Sequence, residues 1–397
     1  MKRENVLLYL LATVNFTNIM DVMIIMPLGN QLMNTFSINP QQFSLIVSVY
    51  SFSAFFSGLI AASYVDRFDR KSAILFVYAG FALGTIACAL APSYLFLLIA
   101  RSLTGLFGGI IGALVLAIVS DLFSYERRGK AMGILISAFS AASVLGVPMG
   151  LFFASRFSWH APFWIIGGLG TLLWVVLALN LKPMRAHIDE ERAPKSPLKV
   201  FYQIVQDSNQ VNALVLTFIL ILGHFFIIPF IAPYMERNIG FTPDQITLVY
   251  VIGGLLTVFS SPLIGRLTDR FGALRMYFMI LGISFIPVIL ITHLQTESII
   301  LAISITSTFF VFGSGRMIPA QTMVTAAVSP EHRGSFMSFR SSILQLGAGI
   351  ASIVGGLIVV ESESGLLEQY TYLGYLSVAF CLLTVFFAPK LKVARGN

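Results

Sequence analysis

The chain has 397 residues, of which 57% are hydrophobic and only 11% are charged. A soluble domain is about half apolar and about a quarter charged, so this composition excludes an ordinary soluble protein and indicates one that spans a membrane. The net charge of +7 does not indicate a nucleic-acid partner, because the basic residues lie in short loops between apolar runs.

The apolar runs are about 20 residues long, which is the length of a membrane-spanning helix rather than of a barrel strand. In chain order they lie at 6–29, 43–65, 73–91, 94–120, 131–155, 161–181, 210–235, 245–265, 273–293, 298–326, 335–360 and 369–389. We therefore predict an all-α polytopic membrane protein with twelve transmembrane helices in two six-helix, pseudo-symmetric halves. The halves are 1–181 and 210–397, and a cytoplasmic linker, 182–209, joins them.

Most of the basic residues fall on one side of the predicted membrane. If the N-terminus is cytoplasmic, almost all of the 25 Lys and Arg residues lie in cytoplasmic loops or helix ends, and only Arg156 and Arg237 lie opposite. The positive-inside rule then predicts that both termini are cytoplasmic. We expect a multi-pass protein of the bacterial inner membrane, with an uncleaved first helix.

The linker contains a helix signal. Ser196-Pro197 is a favourable helix start, and Leu198, Phe201 and Val205 fall on one face of the helix that would follow. We predict a short amphipathic helix at the cytoplasmic membrane surface, and the alternative is a solvated linker without a helix.

Two short motifs recur in the second half of the chain. Asp66-Arg67-Phe68 returns as Asp269-Arg270-Phe271, and Glu126-Arg127-Arg128-Gly129 returns at nearly the same spacing as Glu331-His332-Arg333-Gly334. The first motif follows the second predicted helix of each half, and the second motif follows the fourth. Repeated halves predict a binding site at their interface, near the middle of the membrane.

With these motifs the chain resembles the major facilitator superfamily over its whole length. The signature loop of that family reads Gly-x-Leu-x-Asp-Arg-x-Gly-Arg-Arg/Lys, and here Ala62, Tyr64 and Asp69 replace its first glycine, its leucine and its second glycine. Asp tolerates a left-handed turn better than most residues, so we expect Asp69 to keep the turn. The second copy retains both glycines, Gly265 and Gly272.

Two further motifs are similar to those of the family, and the second of them resembles a motif of its twelve-helix drug:proton antiporter branch. Arg101-Ser-Leu-Thr-Gly105 resembles the Arg-x-x-x-Gly motif, and Gly146-Val-Pro148-Met-Gly150 resembles a Gly-Pro-x-x-Gly core with one residue between Gly146 and Pro148. The resemblance implies proton-coupled efflux by alternating access. We assign the glycines and the proline to helix packing, and the residues concerned are Gly105, Gly109, Gly146, Pro148 and Gly150.

Asp21 is a carboxylate inside the first apolar run. It lies about 22 Å into a core about 30 Å thick, and Arg101 lies about 12 Å from the outer edge of the fourth helix, so the two charges reach a similar depth. Burial favours the neutral acid and a nearby arginine favours the carboxylate. An acid held between these influences can load and release a proton, and we predict that Asp21 and Arg101 couple transport to protons. The alternative is a structural pair that only fixes packing.

Other polar and aromatic residues are candidates for the substrate cavity. Asn18 and Thr17 share the face of Asp21, and Asn15 lies about a third of a turn round. Arg316 is a lone intramembrane cation that requires a partner, and His224 is either a packing residue or a ligand. The predicted cavity residues are Asn15, Asn18, Tyr50, His224, Phe225, Tyr250, Arg316, Gln321 and Gln345.

The repeated loop charges predict a cytoplasmic gate formed by Asp66, Arg67, Arg70, Asp269 and Arg270. An acid there can stabilise a helix N-terminus and an arginine can bridge to a carboxylate. The competing interpretation, that the charges only set topology, explains the arginines but not the repeated aspartates.

The leading functional hypothesis is proton-coupled export of a small, partly apolar or drug-like molecule. The alternative is a facilitator or proton symporter that imports a sugar or an organic anion. The sequence contains no Walker loop, no His-Glu-x-x-His and no Gly-x-Ser-x-Gly motif, so we do not predict an enzyme. We expect no cofactor, no metal and no nucleic acid, and we expect a monomer whose partners are its substrate, protons and the lipid bilayer.

Overall fold

The computed structural model describes residues 2–64, 67–123, 131–135, 138, 141–185, 197–329 and 333–394. Within that part of the chain, eleven helices are long and apolar enough to cross a membrane. The remaining predicted span, 131–155, is represented by helical residues 131–135 and by a shorter apolar helix, Val144–Arg156. The predicted all-α polytopic fold is therefore confirmed.

The first half of the chain forms helices that follow the predicted apolar runs closely. Their bounds are α1 (Lys2–Ile24), α2 (Gly29–Phe36), α3 (Pro40–Tyr64), α4 (Arg70–Ala89), α5 (Tyr94–Leu122), α6 (Val147–Arg156) and α7 (His160–Asn180). A π-helical turn, Ala142–Gly146, leads directly into α6. The first run differs from its prediction, because α1 ends at Ile24 and a separate short helix begins at Gly29.

The second half contains the remaining helices and one small β-ribbon. The helices are α8 (Pro197–Gln206), α9 (Ser208–Phe225), α10 (Ile231–Tyr234), α11 (Pro243–Phe271), α12 (Ala273–Thr292), α13 (Ile299–Gly315), α14 (Met317–Ala326), α15 (Arg333–Ile358) and α16 (Tyr370–Leu383). The ribbon pairs strand β1 (Val360–Glu361) with strand β2 (Leu367–Glu368) in antiparallel register.

Polar side chains at the helix starts explain several of these bounds. Ser93 accepts a hydrogen bond from the Phe96 N–H at the start of α5, and Asp207 accepts from two backbone N–H groups at the start of α9. Thr242 and Gln245 form a reciprocal capping box on α11. Such caps satisfy backbone donors that have no partner within the helix.

The two copies of the repeated loop turn in different ways, which corrects one expectation. Gly272 connects α11 to α12 with φ +89°, a left-handed conformation that glycine adopts without steric penalty. Asp69, at the matching position, has φ −51°, so the expected left-handed turn is wrong there. Asp69 instead caps α4 by accepting hydrogen bonds from the N–H groups of Lys71 and Ser72.

Two spans of the second half are interrupted where the sequence predicted continuous helices. After α9 ends at Phe225, a 3-10 turn, Ile228–Phe230, precedes α10. Arg316 lies between α13 and α14, and Pro319 follows in the first turn of α14. A proline has no N–H to donate to the preceding turn, which accounts for the interruptions at Pro229 and Pro319.

The chain packs as two compact units. The first contains Met1–Ile25 and Val49–Lys199, and the second contains Met26–Ser48 and Val200–Asn397. In the first unit α4 packs against α5 and α7, and in the second α9 packs against α15 and α11 packs against α13.

Residues 26–48 therefore pack with the second unit although they precede the linker. Within that unit Phe43 meets Phe230 edge to face at 6.1 Å, and Arg237 Nε donates to Asn30 Oδ1 at 2.6 Å. The division of the chain at the linker into two transport domains stays a prediction.

The linker helix α8 lies where a helix was expected. Ile204 is buried among core residues of the second unit that include Ala213 and Leu216. Val205, one of the three residues of the predicted apolar face, is half exposed, and the side chains of Leu198 and Phe201 lie outside the described residues. The contact of this helix with the membrane surface stays a prediction.

Candidate functional site

A buried ion pair joins α1 and α5 in the first unit. Arg101 Nη1 donates to Asp21 Oδ2 at 2.7 Å, and the two side chains are 1% and 0% exposed. The two residues that the sequence placed at similar depth are thus in direct contact. Their role in proton coupling stays a prediction.

Neighbouring side chains complete the surroundings of the pair. Thr85 in α4 donates its hydroxyl to the other carboxylate oxygen, Asp21 Oδ1, at 3.3 Å. The Arg101 guanidinium lies over the Tyr50 ring, 4.6 Å from its centroid, in a favourable cation–π geometry. Asp21 is therefore bonded through both of its oxygens, and Arg101 is shielded by an aromatic face.

Asn18 links Tyr50 to α5. It accepts a hydrogen bond from the Tyr50 hydroxyl at 3.2 Å and donates from Nδ2 to the Gly108 carbonyl at 3.3 Å. Asn18 and Tyr50 were both predicted to line a cavity, and the structure brings them together beside the ion pair. Asn15 lies partly buried on α1.

The glycines of α5 allow α3 to approach this closely. A Cβ at Gly109 would lie 2.6 Å from the Ala54 Cα, and a Cβ at Gly105 would overlap the Tyr50 backbone. A Cβ at Gly108 would overlap the Tyr50 hydroxyl. Small residues at an intramembrane helix contact permit such close approach, so the bare face of α5 positions the Tyr50 ring against Arg101.

The glycines around the π-helical turn support the other side of α1. Gly146 faces the side chain of Met20, and Gly150 faces that of Ile24, so both contact the turn of α1 that carries Asp21. Pro148 is buried in the first turn of α6. π-Helical turns inside α-helices occur often at functional sites, and this one packs directly against the acid-bearing turn.

The ion pair is shielded from bulk solvent, so the stability of each charge depends on compensation by the other. Moving two charges out of water costs several kcal/mol per ion, and removing one partner leaves the other uncompensated at about 3–5 kcal/mol. A carboxylate that is 0% exposed also has no surface open to bulk solvent in this conformation.

The sequence analysis named Thr17 but missed the other hydroxyl and thiol groups of the site, which belong to Tyr78, Thr85, Cys88 and Thr104. Tyr78 and Thr17 hydroxyls lie 2.9 Å apart, and Thr17 also donates to the Val14 carbonyl. Cys88 Sγ lies 3.7 Å from the Thr104 hydroxyl. Tyr78 and Thr85 are two turns apart on one face of α4, and this spacing was the signal that could have identified them.

The second unit holds a different polar cluster. His224 at the end of α9 stacks on Phe309 with ring centroids 6.0 Å apart, and Phe225 meets it edge to face. Arg316 is 0% exposed, and its Nη1 donates to the Ser284 hydroxyl at 3.2 Å. His224 and Arg316 thus lie in one region of the second unit.

The remaining predicted cavity residues lie on three other helices, α11, α14 and α15. Tyr250 packs on Phe310 at 5.4 Å, and its buried hydroxyl has no hydrogen-bond partner in the described part of the chain. Gln321 donates to the Thr325 hydroxyl on its own helix at 3.2 Å, and Gln345 is partly buried on α15.

The predicted gate residues occupy the ends of helices. Arg70 Nε donates to Asp121 at the end of α5 at 3.0 Å, while Arg67, Asp269 and Arg270 are exposed. The Arg270 guanidinium lies over the Phe271 ring at 5.3 Å. Asp66 lies outside the described residues.

Asp69 is held by several donors at the start of α4. Burial raises the pKa of its carboxyl, but hydrogen bonds from the N–H groups of Met184, Lys71 and Ser72 and from Arg185 outweigh burial, so the pKa of Asp69 is below its usual value. The carboxylate therefore fixes the segment after α7 to the start of α4. No three His, Cys, Asp or Glu side chains lie together as a metal site would require, among the residues that the structure describes.

Long apolar helices, a repeated charged loop and a buried intramembrane ion pair define a polytopic membrane transporter. The sequence model of the Major Facilitator Superfamily matches residues 11–211 and 213–396. The chain belongs to that family, and like its other members it is a transporter of small molecules and not an enzyme.

Curated relatives and solved structures agree with this assignment. The chain is 27% identical to the uncharacterized MFS-type transporter YwfA of Bacillus subtilis (strain 168), over 86% of this chain and 82% of that protein. It is 25% identical to a protein of Helicobacter pylori (strain P12) named a probable sugar efflux transporter, over 89% and 86% of the two chains. Its fold matches a bacterial homologue of the human lysosomal transporter Spinster, in an inward-facing and unoccupied conformation, with a TM-score of 0.79 and 19% identity over 98% and 96% of the chains.

Proposed function

We propose that this transporter exports a small, partly apolar molecule in exchange for protons, by alternating access. The observation that carries the proposal is the buried pair of Asp21 and Arg101. An ionisable pair inside the membrane is expensive to bury and marks ion or proton pathways in transport proteins.

The pair can act as a proton switch for a physical reason. While Asp21 is ionised, the pair is neutral overall and tolerates burial. A proton on Asp21 would leave Arg101 as an uncompensated buried cation, at a cost of several kcal/mol. The protonated and ionised forms of Asp21 would therefore favour different conformations of the site, and a protonation change could drive the cycle.

Other features support the direction of transport and the topology. The glycines of the antiporter-like motif contact the turn of α1 that carries Asp21, and one relative bears the name of an efflux transporter. The distribution of basic residues supports cytoplasmic termini and a protein of the bacterial inner membrane. We expect the monomer to be the functional unit.

Proteoliposomes with an acidic lumen test the proposal. A candidate substrate is added outside, and a pH-sensitive dye in the lumen reports proton movement. We expect the wild-type protein to accumulate substrate while the lumen becomes more alkaline. Asp21→Asn should abolish gradient-driven accumulation, and Glu363→Gln, which changes an exposed acid in the loop of the β-ribbon, should not. Unchanged accumulation by Asp21→Asn would show that the coupling role is wrong.

A facilitator or proton symporter that imports a sugar or an organic anion is the second candidate. The observation that favours it is Arg316, whose buried guanidinium has unpaired N–H groups. The same dye separates the two candidates. Symport moves protons with the substrate, antiport moves them in the opposite direction, and a facilitator moves none.

A further inference from the structure

The two halves of the chain carry comparable polar sets on corresponding helices. In the first half the set is Asp21, Thr85 and Arg101, on the first, third and fourth spans. In the second half it is His224, Ser284 and Arg316, on the same three spans. His224 follows Asp21 at the spacing that separates Asp269 from Asp66 in the repeated loop.

The arginines of the two sets differ in their partners. Arg101 leaves its Nε unpaired but has the Asp21 carboxylate at 2.7 Å. Arg316 donates from Nη1 to Ser284, and both its Nε and its Nη2 have no hydrogen-bond partner in the described part of the chain. Ser284 donates its own proton to the Leu281 carbonyl, so it serves Arg316 as an acceptor without charge.

No anionic group compensates Arg316 in the part of the chain that the structure describes. His224, Tyr277 and Cys381 interact electrostatically with it, and an imidazole, a phenol and a thiol are not anions at neutral pH. The Nδ1 atom of His224 is also buried and unpaired. An uncompensated, fully buried cation is strongly unfavourable.

We propose that Arg316 is the anchor of an anion site in the second unit, which binds one monovalent anion and best a carboxylate. The unpaired N–H groups on Nε and Nη2 of a guanidinium form the fork that matches the two oxygens of a carboxylate. One negative charge balances the single positive charge of Arg316, whereas a dianion would leave one negative charge uncompensated.

The position of Arg316 in the fold is suited to the reversible binding of a ligand. Arg316 stands at the interruption between α13 and α14, and interrupted spans commonly form the binding sites of secondary transporters. Gly313 of α13, three residues before Arg316, faces the His224 ring, since a Cβ there would lie 3.5 Å from it. The stacked rings of His224 in α9 and Phe309 in α13 thus lie beside the stretch of α13 that leads to Arg316.

The anion has two possible sources that share this chemistry. It is either a small dissolved anion or the acidic group of the transported molecule. The second source rests on the proposed function, because it makes the exported molecule a partly apolar organic acid.

Thermal unfolding of the purified protein in detergent tests the site without any proton gradient. Sodium chloride, sodium acetate and sodium benzoate are titrated at constant ionic strength, and benzamide is the uncharged analogue of benzoate. A ligand that binds only the folded state raises the unfolding temperature as its concentration exceeds its Kd. We expect an anion-dependent rise in the wild type that Arg316→Gln loses and that benzamide does not produce.

Two further variants keep the test independent of folding defects. Arg340→Gln changes another arginine of the same unit, which is partly buried and donates to the Thr217 hydroxyl, and it should keep the full rise. Arg316→Lys retains the positive charge but lacks the paired N–H groups of the guanidinium. It should bind benzoate at least tenfold more weakly. In the absence of added anion, Arg316→Gln should be at least as stable as the wild type, because it removes an uncompensated charge.

Each outcome either supports or overturns the proposal. A rise with chloride and acetate that depends on Arg316 supports a site for dissolved anions. A rise with benzoate alone that depends on Arg316 supports a site for the acidic group of a larger molecule. Equal rises in the wild type and in Arg316→Gln overturn the site. Because Asp21→Asn should retain the benzoate response, failure of proton coupling and failure of the anion site are distinguishable.

Discussion

Arg101 lies 2.7 Å from Asp21, and neither side chain is more than 1% exposed. Each group is the principal compensation for the charge of the other. The pair therefore behaves as one electrostatic unit, and a change to either residue acts on both.

Removal of one member should destabilise the protein far more than removal of both. We expect Arg101→Met to lower the free energy of unfolding by about 3–5 kcal/mol, because it leaves a buried carboxylate uncompensated. Combining it with Asp21→Asn should recover most of that loss. Denaturant unfolding of the two single variants and the double variant measures the coupling, and additive losses would show that the two residues act independently.

Gly108 controls the position of the Tyr50 hydroxyl. We expect Gly108→Ala to displace this hydroxyl from Asn18, since the new Cβ would overlap it, and to reduce transport as much as Tyr50→Ala. Gly112→Ala is the matched control on the same helix, because nothing lies within 4 Å of a Cβ there. Initial transport rates provide the measurement, and equal rates for Gly108→Ala and Gly112→Ala would contradict the assigned role of the close approach.

Asp69 should make stability depend on pH in the acidic range. Its pKa is lowered in the folded state, and the unfolded value is about 3.9. The stabilisation is therefore complete above about pH 5 and is lost as the pH falls through the folded pKa.

A pair of substitutions separates the charge of Asp69 from its cap. Asp69→Asn keeps an acceptor at the helix start and removes the charge, so its difference from the wild type should shrink as the pH falls below about 4. Asp69→Ala also removes the cap and should cost about 1 kcal/mol more. Unfolding temperatures between pH 3 and pH 7 test both expectations, and a difference independent of pH would exclude the charge as the cause.

Gly272 and Gly265 should respond to alanine in opposite ways. Gly272 has φ +89°, so Gly272→Ala should destabilise by about 1–2 kcal/mol. Gly265 lies inside α11 with open space around a Cβ, so Gly265→Ala should stabilise by about 0.5–1 kcal/mol. Unfolding temperatures of the two variants provide the comparison, and a stabilising Gly272→Ala would contradict the backbone argument.

The sequence was sufficient to predict the membrane-spanning segments and the similar depth of Asp21 and Arg101. Hydrophobic runs set the spans, and the fixed rise of a helix converts residue counts into depth. Both rules give positions along the membrane normal only, and neither gives the rotation of a helix about its own axis. They could not show that Thr85 turns toward Asp21, because the rotation of α4 depends on how all of its neighbours pack.

The errors in the sequence predictions have specific physical causes. Asp69 was expected to adopt the left-handed backbone conformation of glycine. Its carboxylate instead caps α4, because accepting hydrogen bonds from backbone N–H groups stabilises the helix start. The interruption at Arg316 was not predicted, because an apolar run identifies a span but not its continuity.

The polar set that contains Asp21 and the set that contains His224 differ in charge between the two halves of the chain. A chimera that repeats the first half would carry the Asp21–Arg101 pair twice and no unpaired buried arginine, whereas one that repeats the second half would carry Arg316 twice and no carboxylate at the position of Asp21. Neither chimera would combine the proposed proton switch with the proposed anion anchor. The two halves would therefore not be interchangeable, although both carry the repeated charged loop.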